Sequence, residues 1–165
     1  MRPVPAELVK PLSAYSSSLN FFTASFPSSH VTTAYKRIVA DIIHHLIQRV
    51  VHQRSKGRFT SRWGKEFAQH CKYWVKTSEL AFSAAKTCGP GNVRRPAQVW
   101  DRLVDAATLL SVDEADFHNV LLAIDHGPEK YASIGERFGL SGALRWEEAK
   151  NVIRARVDGL GLGRS

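Results

Sequence analysis

The stretch from Asp116 to Leu160 reads DFHNVLLAIDHGPEKYASIGERFGLSGALRWEEAKNVIRARVDGL, and its breaks predict three helices. The run from Asp116 to Asp125 is apolar on one side and stops at Gly127, a residue free to take positive φ. Pro128 opens the second helix, where its missing N–H costs nothing, and that helix runs to about Phe138. Gly139 makes the turn, Leu140 plugs the core, and Ser141 N-caps a third helix of about 16 residues. A short helix, a glycine turn and a longer capped helix predict a helix-turn-helix.

The residues Ile134, Gly135, Phe138, Gly139, Leu140 and Ser141 resemble the turn of helix-turn-helix DNA-binding domains. With the preceding helix, the region is similar to region 4 of bacterial σ factors and to σ-region-4-like domains that end some small bacterial and phage-derived activators. The ending of one such group recurs here as Ala149, Lys150, Val152, Arg154, Asp158 and Leu160. The resemblance covers about 45 residues. It implies a small residue at Gly135 that lets two helices approach, double-stranded DNA as partner, and an activator that also touches RNA polymerase. Arg145 departs from the pattern, standing where the family has a β-branched residue. Leu144 and Trp146 flank it, which leaves open a third helix that is rotated or starts late. Glu147 and Glu148 suit a helix N-terminus but repel phosphate.

Composition sets the frame. A chain of 165 residues with 44% hydrophobic residues suits one domain or two small ones with a real core. Residues 1–100 carry 15 Lys/Arg against 4 Asp/Glu, a net +11, and residues 101–165 carry 8 against 11, a net −3. A basic half is the electrostatic footprint of an anionic partner, most often nucleic acid. Cys71 and Cys88 imply no disulfide framework, so a reduced, cytoplasmic setting is expected; nucleoid association follows only from the expected DNA partner. No apolar run reaches membrane-spanning length, and no signal peptide is evident.

Residues 1–30 are rich in Ser and Pro, the composition of an arm. Leu19, Phe21, Phe22 and Phe26 nevertheless predict packing on the body or on a second subunit, with a short helix near residues 13–22. From Thr33 to His52 paired apolar residues recur every four positions, giving an amphipathic helix. Its stripe through Ile38, Ile42, Leu46 and Val50 is either core or a homodimer seam. A helix from about Arg62 to Lys86 follows, with Trp63, Phe67, Cys71, Trp74, Leu80 and Phe82 as its apolar residues. Gly89-Pro90-Gly91 breaks it. Next comes a helix from about Pro96 to Leu110 with Val99, Trp100, Leu103, Val104 and Leu110 inward, and Ser111 or Asp113 caps its successor. The expectation is an all-α protein of six or seven helices: a basic N-terminal unit over 1–90 and a helix-turn-helix unit over 96–160.

The chemistry-bearing residues point to binding. The reading helix would present Ser141, Gly142, Arg145, Asn151 and Arg154, with Asn suited to adenine and Arg to guanine. Lys150 and the basic loop residues Arg54, Lys56, Arg58 and Arg62 would hold phosphates. The seven histidines match no zinc-ligand spacing, and neither a nucleophile constellation nor a phosphate-binding glycine motif is present. No metal, cofactor or enzymatic activity is expected. The reading is a DNA-binding transcription regulator. Its rivals are a protein–protein adaptor on a helical dimer and a non-specific nucleic-acid binder using the basic half.

Overall fold

The computed structural model describes residues 4–53, 60–88 and 96–156. Among them it is all-α, with seven α-helices and no strand: α1 Ala6–Ser25, α2 Ser28–Gln53, α3 Ser61–Cys88, α4 Asp101–Ser111, α5 Glu114–Asp125, α6 Pro128–Phe138 and α7 Trp146–Ile153. A 3₁₀ turn, Pro96–Trp100, leads into α4. The chain divides into two compact units, Met1–Ile42 with His70–Trp100, and Ile43–Gln69 with Asp101–Ser165. This is not the consecutive division expected at 1–90 and 96–160, because α2 and α3 each supply residues to both units.

The first unit begins with α1, twice the length expected for that segment. Pro11 sits inside it, at a cost of about 3 kcal/mol. Leu12, Tyr15 and Leu19 recur at helical spacing and are buried. Each returns roughly 2 kcal/mol, so packing outweighs the poor propensity of a Ser- and Pro-rich stretch. Val31, Tyr35 and Val39 of α2 and Cys71, Tyr73 and Phe82 of α3 complete the apolar core with Trp100. Rings meet edge to face: Tyr15 on Trp74 at 5.3 Å and Tyr35 on Phe82 at 4.8 Å. The polar atoms among them are paired. The Trp100 indole donates to the Tyr35 hydroxyl at 3.0 Å and to Ser78 Oγ at 3.1 Å. Tyr35 donates to the Pro96 carbonyl at 2.8 Å, and the Tyr15 hydroxyl lies 3.0 Å from Ser78 Oγ. Burial pushes both tyrosines above their usual acidity range.

Of the two expected places for the phenylalanine cluster, the body of this chain takes only Leu19, which leaves the second-subunit alternative standing. Leu19 is buried, but Phe21 and Phe26 are exposed, and with Phe22 they pack on one another. Leu80 and Trp63 of α3 are exposed as well.

The second unit uses the continuation of the α2 stripe, Ile43, Ile47 and Val50, all buried. Val50 is thereby withdrawn from any dimer seam, and Ile38, Ile42 and Leu46 are half-buried beside the core-facing row. Leu103, Leu109 and Leu110 of α4, Phe117, Val120 and Ile124 of α5, and Val152 and Ile153 of α7 fill the interior. Val104, expected inward, is exposed. Gly64 of α3 lies so near α4 that an added Cβ would stand 1.8 Å from the Leu110 carbonyl oxygen, a separation only glycine permits. Arg156 is fully buried, its guanidinium 4.1 Å over the Phe117 ring and donating to the Leu110 and Val112 carbonyls. A cation there satisfies carbonyls at the negative end of α4.

Candidate nucleic-acid interface

The hairpin of α6 and α7 begins as its residues dictate. Gly127 holds φ 120° and Pro128 follows at the first helical position. Gly139 ends α6 in the left-handed region at φ 67°, and the Leu140 N–H reaches back to the Gly135 carbonyl at 2.8 Å, the six-to-one bond of a Schellman ending.

Beyond the glycine the structure departs from expectation. Ser141 does not cap a helix. Its backbone N–H and hydroxyl donate to the two carboxyl oxygens of Asp105 at 2.8 and 2.9 Å, and the Leu144 N–H donates to the same group at 3.2 Å. Ser141 Oγ also accepts the Ala143 N–H at 3.1 Å, a local turn that competes with helix. The chain from Ser141 to Leu144 is therefore tied to α4. The buried plug is Leu144 rather than Leu140, which is only half-buried. Tyr131 donates to the Leu144 carbonyl at 2.9 Å, and burial pushes its phenol up to about 12.

α7 starts at Trp146 and spans 8 residues instead of about 16, the late start that Arg145 and its neighbours left open. Arg145 occupies the N-cap with φ −69° and ψ 150°. Glu148 Oε2 accepts the Arg145 N–H at 3.4 Å, the reach-back half of a capping box; an arginine side chain has no acceptor for the other half. Ala149, Val152 and Ile153 are fully buried. The Trp146 indole donates to the Ile124 carbonyl at 2.7 Å, and Lys150 Nζ sits 5.2 Å over the Trp146 ring.

Of the expected contact residues, Ser141, Gly142, Arg145 and Asn151 are exposed, and Lys150 and Arg154 are half-buried. Gly142 takes φ 81°. Arg154 lies just past the helix and pairs with Asp125 at 2.5 Å. Arg102 grips Glu148 with both its Nε and Nη2, and Arg137 pairs with Asp116 at 2.6 Å. Arg145 has no ion-pair partner among the described residues. Arg62 is exposed and pairs with Glu66 at 3.2 Å; Arg54, Lys56 and Arg58 lie outside the described residues. Asp113 takes the N-cap position of α5, yet its carboxyl meets Lys65 at 2.7 Å rather than the backbone. The hydrogen bond and charge of Lys65 hold that carboxyl below its usual range.

Sequence reasoning missed Asp105 and Arg156, the two charged residues that set this geometry. Asp105 carries a faint signal: it stands between Leu103 and Ala106 and four residues before Leu109, in the apolar register of α4. Arg156 carries none. Among the described residues no three His, Cys, Asp or Glu side chains converge as a metal site, and no helix is long and apolar enough to cross a membrane. No protein-family model matches this chain, and neither does any curated protein or solved structure compared with it.

Proposed function

We propose that the α6–α7 hairpin binds double-stranded DNA as a helix-turn-helix and that the chain regulates transcription. The carrying observation is the two-sidedness of α7. Ala149, Val152 and Ile153 are fully buried, while Arg145 and Asn151 face solvent. Those are the side-chain types that pair bidentately with guanine and adenine. Arginine is a poor N-cap and a cation opposes the dipole at a helix start, so helix stability does not account for Arg145. Lys150, seated on Trp146, supplies a phosphate contact. Arg154 is engaged by Asp125 and the Ser141 hydroxyl by Asp105, which leaves Arg145 and Asn151 as the side chains that read bases, with Lys150 on phosphate.

The test is selection of bound duplexes from a random pool at two salt concentrations, repeated with Arg145→Ala and Asn151→Ala. Each variant is expected to relax preference at one base pair by about 1–3 kcal/mol. Loss of affinity that is uniform over all sequences would leave these residues as phosphate contacts only. Absence of binding at both salts would favour the adaptor reading.

A further inference from the structure

Arg102 and Asp105 stand three residues apart on α4, on one face of a helix that packs against α7. Asp105 holds the turn from Ser141 to Leu144. Arg102 takes the next segment: its Nε donates to Glu148 Oε2 at 3.2 Å and its Nη2 donates to Oε1. Glu148 Oε2 in turn accepts the Arg145 N–H at 3.4 Å. The Arg102 and Glu148 side chains are 32% and 29% exposed, less than in either ion pair that ties this hairpin to α5.

We propose that Arg102 is a positioning residue for DNA reading: by gripping Glu148 it fixes the N-cap from which Arg145 reaches a base, and it offsets a carboxylate that would otherwise repel phosphate. This role rests on the proposed reading of α7.

α7 has only 8 residues, too few to hold its own start by helix formation alone. An arginine at the N-cap offers no side-chain acceptor, so its position depends on other groups, and Glu148 supplies the acceptor for its N–H. A free glutamate samples several rotamers. The planar guanidinium fork, bonded to both carboxyl oxygens, holds it in one. Exposed ion pairs contribute little to stability, but a bidentate pair with ideal geometry is the kind that does. Charge acts in the same direction. α7 and its N-cap carry Arg145 and Lys150 against Glu147 and Glu148, a neutral set, and Arg102 tips it toward an anionic partner.

The experiment uses the full chain with Arg102→Met, which keeps the aliphatic stem, and Arg102→Lys, which keeps the charge without the fork. Duplex selection with Arg102→Met should lose preference by about fivefold or more at the base pair that Arg145→Ala relaxes, and should spare the pair that Asn151→Ala relaxes. Combined with Arg145→Ala it should cost nothing further at the first pair, because both changes remove one contact. Arg102→Lys should keep overall affinity and still lose that preference. Circular dichroism should be unchanged in both variants. A motif that Arg102→Met leaves intact would overturn the positioning role while the reading of α7 stands. Equal loss at both base pairs would also overturn it, since general destabilisation spares neither. Full preference in Arg102→Lys would overturn positioning by the fork. A wild-type chain that selects no motif would overturn the reading of α7 and this role with it.

Discussion

Asp105 organises the turn because one carboxyl group satisfies three donors that the chain after Gly139 would otherwise leave unpaired: the Ser141 N–H, the Ser141 hydroxyl and the Leu144 N–H. The Leu144 donor is buried with its residue, so losing its acceptor has no remedy from water. Asp105→Ala is expected to lower unfolding free energy by about 3 kcal/mol. Asp105→Asn, which keeps one carbonyl acceptor, should fall between. Urea denaturation of the three chains measures this, and an alanine variant within ~0.5 kcal/mol of wild type would show the turn holding its shape by other means. Residue-scale features of this kind were the least legible. Ser141 after a turn glycine reads as a cap because serine caps helices. What redirects it is an acid 36 residues earlier, and no local pattern reports that.

At the scale of elements, the glycine and proline breaks on either side of α6 were read correctly, and the lengths of α1 and α7 were not. Gly127-Pro128 and Gly139 fall where φ and the missing proline N–H require them, so the bounds of α6 were legible. α1 was underestimated because its Ser and Pro content speaks of the unfolded chain, whereas Leu12, Tyr15 and Leu19 act only once α2 and α3 supply a surface. The two glycines of the hairpin separate the family resemblance from the geometry. Gly139 lies at φ 67°, and Gly139→Ala should cost about 1–2 kcal/mol for the left-handed backbone. Gly135, expected to let two helices approach, does not do so: an added Cβ would meet only the Leu140 Cβ, at an ordinary 3.8 Å. Gly135→Ala should therefore be neutral or stabilise by up to ~1 kcal/mol through helix propensity. Thermal melts of the pair should move in opposite directions. A large loss at Gly135 would mean that α6 packs more closely than this.

At the scale of the whole molecule, the Gly-Pro-Gly break suggested a cut that packing ignores. The second unit takes Ile43–Gln69 as well as Asp101–Ser165. Ile43, Ile47 and Val50 are buried in it, Gly64 closes on the Leu110 carbonyl, and Lys65 holds Asp113 at 2.7 Å. A fragment of residues 96–165 keeps the whole hairpin but loses these partners. Leu109 and Leu110, both fully buried in the intact chain, would then be open to water, at roughly 25 cal/mol per Å² of apolar surface exposed. Stability of a small domain is only a few kcal/mol, so removing one wall of the core should abolish cooperative folding. The fragment is expected to show helical far-ultraviolet dichroism with broad, non-cooperative melting, while the full chain melts sharply. Because Asp105 and Arg156 hold the turn and the end of α4 only in a packed core, such a fragment should also lose whatever DNA selection the proposed function gives the full chain. A fragment that melts cooperatively near the full-length temperature would show that α4 to α7 hold their own core, and would return the boundary to the Gly-Pro-Gly segment.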